Sequence, residues 1–165
     1  MWAMRDIEIL RSMADAARDA VMDAFPDGGG DRIIQAASDG NLTREIDLVA
    51  ESAILRTRKE LDVQWGVYSE EAGWVEGESG STLIVDPIDG TYNAMHGIPL
   101  YSTSLALAKG PLHNITSSIV MNVPLGKSFE AVKGEGAKYN GKWIRTRPFV
   151  EERSVFNSFL GPTSL

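Results

Sequence analysis

Cysteine is absent from the 165 residues, which excludes disulfide cross-links and any metal site built on thiolates. Histidine is scarce: His96 and His113 are the only two, and no spacing of zinc ligands exists. No apolar run approaches the length of a membrane span. Residues 1–6 offer no long apolar core of a secretory signal, so a cytoplasmic protein is the expectation. Positive charge is also in short supply. Lys and Arg number 16 against 23 Asp and Glu, a net charge of −7. Such a balance argues against nucleic acid or an anionic membrane as partner. It also sets a condition on any phosphate ligand, because acidic walls repel an anion unless a divalent cation stands between them.

What is present is an ordinary globular composition, 43% hydrophobic and 24% charged, in a chain long enough for one domain with a sizeable core. Ile7, Leu10, Met13, Ala17, Val21 and Ala24 recur at three- and four-residue steps, which predicts an amphipathic helix of roughly 20 residues. Pro26-Asp27-Gly28-Gly29-Gly30-Asp31 ends it. Ile46, Val49, Ala50, Ala53, Ile54 and Leu61 predict a second helix. It is expected to start near Thr43 as N-cap, with Glu45 and Asp47 in the first turn. Strands follow, at residues 63–68, 82–85, 101–108 and 115–123. Residues 127–133 and 137–144 are expected to form a hairpin through Gly134-Glu135-Gly136. Short connections favour antiparallel pairing. The expected fold is therefore an α+β layered sandwich, N-terminal helices packed on a largely antiparallel sheet.

The richest stretch is Asp86-Pro87-Ile88-Asp89-Gly90-Thr91. A strand delivers Asp86 at its C-terminal end, where sites are commonly built. Pro87 has no N–H to give, so pairing is expected to stop there. Asp89 lies three residues on, and a tight turn can point both carboxylates into one space. Hard cations take such oxygens, together with backbone carbonyls such as that of Ile88. Gly90 lets the backbone approach a ligand, and Thr91 opens a helix whose N–H groups could face a phosphate. An isolated D-P-x-D-G is more often an ordinary Asx turn at a strand end. Glu70 and Glu71 follow Ser69 at another strand end; they are solvated loop acids or ligands, and spacing alone does not separate the two. Asp47 is accounted for by the helix dipole. Its functional reading is as an acceptor for Thr91 that helps position a water.

Set together, the segments Thr43-Arg44-Glu45-Ile46-Asp47, Tyr68-Ser69-Glu70-Glu71-Ala72-Gly73 and Leu83-Ile84-Val85-Asp86-Pro87-Ile88-Asp89-Gly90-Thr91-Tyr92-Asn93 resemble the inositol monophosphatase superfamily. The flavour is that of its archaeal inositol monophosphatase/fructose-1,6-bisphosphatase members. Gly97-Ile98-Pro99 and the segment 133–141 complete the likeness, which covers about residues 5–150. The resemblance implies a layered sandwich holding two or three Mg2+ ions. By position, Glu70, Asp86 and the Ile88 carbonyl would hold the first ion. Asp86 and Asp89 would contribute to the second, and Glu70 to a weaker third. Asp89 and the N–H groups of Gly90 and Thr91 would receive the phosphate. Asp47, Glu70 and Thr91 would be the catalytic residues.

The activity implied is Mg2+-dependent hydrolysis of inositol monophosphate, fructose 1,6-bisphosphate or both, by a metal-activated water. Two alternatives stand beside it: a phosphoadenosine-phosphate 3′-nucleotidase of the same fold, and an inactive metal-binding domain with a regulatory or scaffolding role. The implied partners are a small phosphorylated sugar or inositol and a second copy in a homodimer. One departure bears on domain organisation. The family's second half carries a W-D-x-A-x-G segment that completes the second metal site, and none of Trp2, Trp65, Trp74 and Trp143 is followed by Asp. The expectation is a metal- and phosphate-binding domain over residues 1–150, with 151–165 the start of an absent C-terminal domain.

Overall fold

The computed structural model describes residues 2–36 and 42–150; the stretch expected to open a further domain, 151–165, lies outside them. Helix α1 runs over Trp2–Ala24, and its stripe Ile7, Leu10, Met13, Ala17 and Val21 is buried. Each large side chain so withdrawn contributes about 1.5–3 kcal/mol. Strands β1 (Ile33–Ala36) and β2 (Leu42–Arg44) pair antiparallel, a small ribbon that the alternation rules did not pick out. Helix α2 spans Glu45–Glu60 and buries Ile46, Ala50, Ala53 and Ile54. Its N-cap is Arg44 rather than Thr43. The cap works through Asp47 three residues on, whose Oδ2 accepts the Arg44 N–H at 3.2 Å. Thr43 belongs to β2 and is wholly buried.

Eight strands build the main sheet. They are β3 (Gly66–Ser69), β4 (Gly73–Val75), β5 (Ser81–Asp89), β6 (Ser102–Lys109), β7 (Ile115–Asn122), β8 (Lys127–Val132), β9 (Gly136–Tyr139) and β10 (Lys142–Ile144). Their order is β10-β9-β8-β7-β6-β5-β3-β4. Every neighbouring pair is antiparallel except β3 and β5, which run parallel. The fold is thus α+β, as expected, with α1 lying across β6, β7 and β8 and α2 on β5. Alternate residues point at the helices: Thr103, Leu105 and Leu107 on β6, Ile119 and Met121 on β7. Arg11 of α1 grips buried Glu130 of β8 with two hydrogen bonds, 2.8 and 2.5 Å. That ion pair holds Glu130 below the usual carboxylate range. No helix among the described residues is long and apolar enough to cross a membrane.

Two strand expectations need correction. Residues 137–144 are not one strand: Asn140 and Gly141 both take positive φ, 48° and 75°, and form a two-residue turn between β9 and β10. Nor does pairing end at Pro87. Strand β5 continues to Asp89, with its register against β6 shifting between Asp86 and Asp89. The missing N–H of proline falls in that irregularity, where the ladder asks nothing of it.

Candidate metal and phosphate site

The one parallel pair among the described strands, β3 and β5, frames the candidate site. Ser69 of β3 lies opposite Val85 of β5, and the Glu70 N–H donates to the Val85 carbonyl at 3.2 Å. The next residues, Glu70 and Asp86, therefore emerge side by side at the carboxyl edge of two parallel strands, where open α/β sheets place ligands. Beyond Asp86 the irregularity in β5 redirects the chain, held by Thr103 Oγ1 donating to the Pro87 carbonyl at 2.9 Å. Asp89 is exposed. Gly90 follows at φ 91°, and a Cβ there would come within 3.0 Å of the Leu100 carbonyl; only glycine suits the position. A five-residue helix, α3 (Thr91–Met95), starts directly after it.

From the other side, α2 brings Asp47 to Thr91. The two are 3.2 Å apart, Thr91 Oγ1 to Asp47 Oδ1. Thr91 Oγ1 also lies 3.0 Å from the Ile88 carbonyl. A hydroxyl has one proton, so Thr91 can serve only one of these acceptors at a time. Asp47 is buried, and burial with Glu71 nearby pushes its pKa up to about 6, against the opposing pull of the Arg44 N–H and the Thr91 hydroxyl. Asp86 is pushed further, to about 7, by burial and then by the charges of Glu70, Asp89, Asp47 and Glu71. The acids expected to form the site do converge on one electrostatic neighbourhood, with Asp86 at its centre.

Among the described residues no three acidic or histidine side chains close into a ready-made ligand set. The residues nonetheless fit a hard divalent cation. Asp86 Oδ1 is buried and has no hydrogen-bond partner, a costly state for a carboxylate oxygen that a cation would relieve. The donors around it are carboxylates and a carbonyl, the chemistry that Mg2+ takes. A groove of about 510 Å3 adjoins Asp89 and Gly90 and is lined by Leu100, Val120, Phe129 and Tyr139. Its walls are mainly apolar, and Asp86, Glu70 and Asp47 are outside it.

The model of the inositol monophosphatase family matches residues 4–160. The chain belongs to that family. It is 39% identical over 130 residues to a fructose-1,6-bisphosphatase of Pyrococcus furiosus, covering 78% of this chain and 48% of the relative. It is 35% identical over 138 residues to a fructose-1,6-bisphosphatase/inositol-1-monophosphatase of Thermococcus kodakarensis, covering 84% of this chain and 52% of the relative. The solved structure of an inositol monophosphatase-fructose 1,6-bisphosphatase superposes with a TM-score of 0.76 at 25% identity, covering 87% of this chain and 55% of that one. The chain spans about half the length of the curated relatives it matches. The fold is accordingly the inositol monophosphatase fold.

Glu51 escaped the motif reading, as did the contacts made here by Thr43 and by the glycine turn. Glu51, buried on α2, accepts from the Ser69 hydroxyl and from the Ala72 N–H. Thr43 donates to Glu71. The glycine turn 28–30 seats α3: the Gly29 N–H donates to the Ala94 carbonyl at 3.1 Å, and the Gly30 carbonyl accepts from Ile46 at 3.2 Å. A signal existed for Glu51. It is an acid on the otherwise apolar face of Ile46, Ala50, Ala53 and Ile54, one helical turn beyond Asp47.

Proposed function

We propose that residues 1–150 form the metal- and phosphate-binding domain of a Mg2+-dependent phosphomonoesterase acting on inositol monophosphate, fructose 1,6-bisphosphate or both. The observation that carries this reading is Asp86, a carboxylate with one buried, unpartnered oxygen among four neighbouring acids. Family membership supports it. In this reading Glu70, Asp86 and the Ile88 carbonyl would hold one ion, Asp86 and Asp89 would contribute to a second, and Glu70 to a third. Bound Mg2+ would supply the positive charge that activates a water and neutralises the departing alkoxide.

The chain's own residues do the positioning. With the single Thr91 proton donated to Asp47, the lone pairs of Thr91 Oγ1 would be left to hold a water. Asp47, with its pKa raised to about 6, sits near the range in which a general base is effective. Asp89 and the N–H groups of Gly90 and Thr91 receive the phosphate. The small phosphorylated substrate is compatible with the acidic site only through the cations, which answers the problem set by a net charge of −7. The reading also carries a homodimer, on the resemblance alone, and a cytoplasmic location; sedimentation of the full-length protein as a monomer at micromolar concentration would refute the dimer.

The decisive assay is phosphate release from inositol 1-phosphate and from fructose 1,6-bisphosphate by the full-length gene product. Release that requires Mg2+ and stops in excess chelator is expected. A folded protein with no release from either ester at saturating Mg2+ would overturn the proposal.

A further inference from the structure

We infer that Glu51 is a positioning residue: it holds the turn after β3 so that Glu70 stands beside Asp86. The inference rests on the reading of Glu70 as a metal ligand, and it adds a residue that reading does not use.

Glu51 is 6% exposed, and the buried face of α2 around it holds the apolar Ile46, Ala50 and Ile54 together with one other acid, Asp47, a turn earlier. Leucine or alanine would suit that face. Burying a carboxylate there is costly unless hydrogen bonds offset the loss of solvent. The bonds it makes go to one place. A single oxygen, Oε1, accepts from the Ser69 hydroxyl and, at 3.1 Å, from the Ala72 N–H. These donors bracket Glu70 and Glu71. The turn is also tied by the β3–β4 ladder, in which Ser69 faces Gly73, by the Glu70 N–H to the Val85 carbonyl and by the Thr43 hydroxyl to Glu71. Glu51 thus closes the turn from below, while β5 fixes its first residue from the side. Without it the ladder and the Val85 and Thr43 bonds would still anchor the turn, but its tie to α2 would be lost and Glu70 held less firmly. Groups that orient a metal ligand from behind typically control affinity by 10- to 100-fold.

The use of one oxygen makes the idea testable. In Glu51→Gln the amide oxygen can accept both bonds, so charge is removed and geometry kept. In Glu51→Ala both bonds are lost. Two readouts apply to the full 165-residue chain. The first, independent of metal, is amide exchange at Ala72. It should accelerate at least about tenfold in Glu51→Ala and stay within about fivefold of wild type in Glu51→Gln, with amides of β6 and β7 unchanged. The second is binding of Mn2+, an oxygen-seeking octahedral probe. Affinity should fall about 10- to 100-fold in Glu51→Ala and recover in Glu51→Gln.

If Glu51→Ala does not fold, Ser69→Ala removes one of the two bonds and keeps the carboxylate; it should still weaken Mn2+ binding several-fold. Wild-type Ala72 exchange in a folded Glu51→Ala overturns the inference. So does a Glu51→Gln variant as impaired as Glu51→Ala, since charge and not the two bonds would then be the active property. A wild-type chain that binds no Mn2+ refutes the metal reading of Glu70 instead, and the exchange readout then decides alone whether Glu51 holds the turn.

Discussion

Asp47 and Thr91 are 44 residues apart in sequence and meet at 3.2 Å. Neither is unusual where it stands: an acid in a helix first turn and a threonine after a glycine are everyday residues. Their pairing is what assigns them a task. Thr91→Val removes the hydroxyl and little else in volume. In the full-length protein kcat is expected to fall about 10- to 100-fold, with Thr91→Ser retaining most activity; equal turnover by Thr91→Val and wild type would remove the pair from the mechanism. The D-P-I-D-G-T spacing made Asp86, Asp89 and Thr91 legible because those residues are close in sequence. Glu51, which reaches 18 residues to Ser69 and 21 to Ala72, and Thr43, which reaches 28 to Glu71, were not. Such bonds depend on where the fold sets α2 and β2 against the turn after β3, and no local pattern encodes that.

At the scale of elements, α3 has only five residues, too few to be stable on its own propensity. It is braced by the turn that follows α1. Gly28 takes φ +87°, and a Cβ there would lie 2.5 Å from the Ala94 carbonyl and 2.8 Å from Gly97. Gly134 takes a similar φ, +82°, with nothing within 4 Å. The left-handed backbone penalises alanine at either site by about 1 kcal/mol. Crowding adds about 1–3 kcal/mol at Gly28 alone. Urea unfolding should therefore show a loss of about 1 kcal/mol for Gly134→Ala and about 3 kcal/mol for Gly28→Ala. Equal losses would mean that the brace yields without resistance. The helices were readable because period 3.6 persists over five or six turns of α1. Strand boundaries were less so. The Asn140-Gly141 pair is a hairpin-turn signal that the one-strand expectation for 137–144 passed over, whereas continuation of β5 past Pro87 required knowing that the ladder shifts just there.

For the whole molecule, the excess of acid becomes a dependence on pH. In the folded chain Asp47 is raised to about 6 and Asp86 to about 7, while unfolding returns both to about 4. The folded state binds these protons more tightly. Their ionisation consequently costs stability progressively as pH rises from about 4 through about 6 and 7. Glu130, held low by Arg11, acts in the opposite sense at the acid end, so the informative window is pH 5 to 8. Within it, Mg2+ needs ionised carboxylates and relieves their repulsion, and stabilisation by metal should grow as the pH rises. The difference in Tm with and without Mg2+ is expected to be larger at pH 8 than at pH 5; an equal or reversed difference would contradict the placement of Asp47 and Asp86 around a cation.

The centre of that placement is Asp86, and calorimetric titration of Mg2+ into the 165-residue chain and its Asp86→Asn variant addresses it directly. Wild type should bind saturably and the variant at least about 100-fold more weakly. The metal-free Tm of Asp86→Asn should be equal to or above that of wild type, because the replaced carboxylate is disfavoured by burial and by four acidic neighbours. Equal Mg2+ affinity in the two proteins, or no binding by a folded wild type, would contradict a cation site built on Asp86.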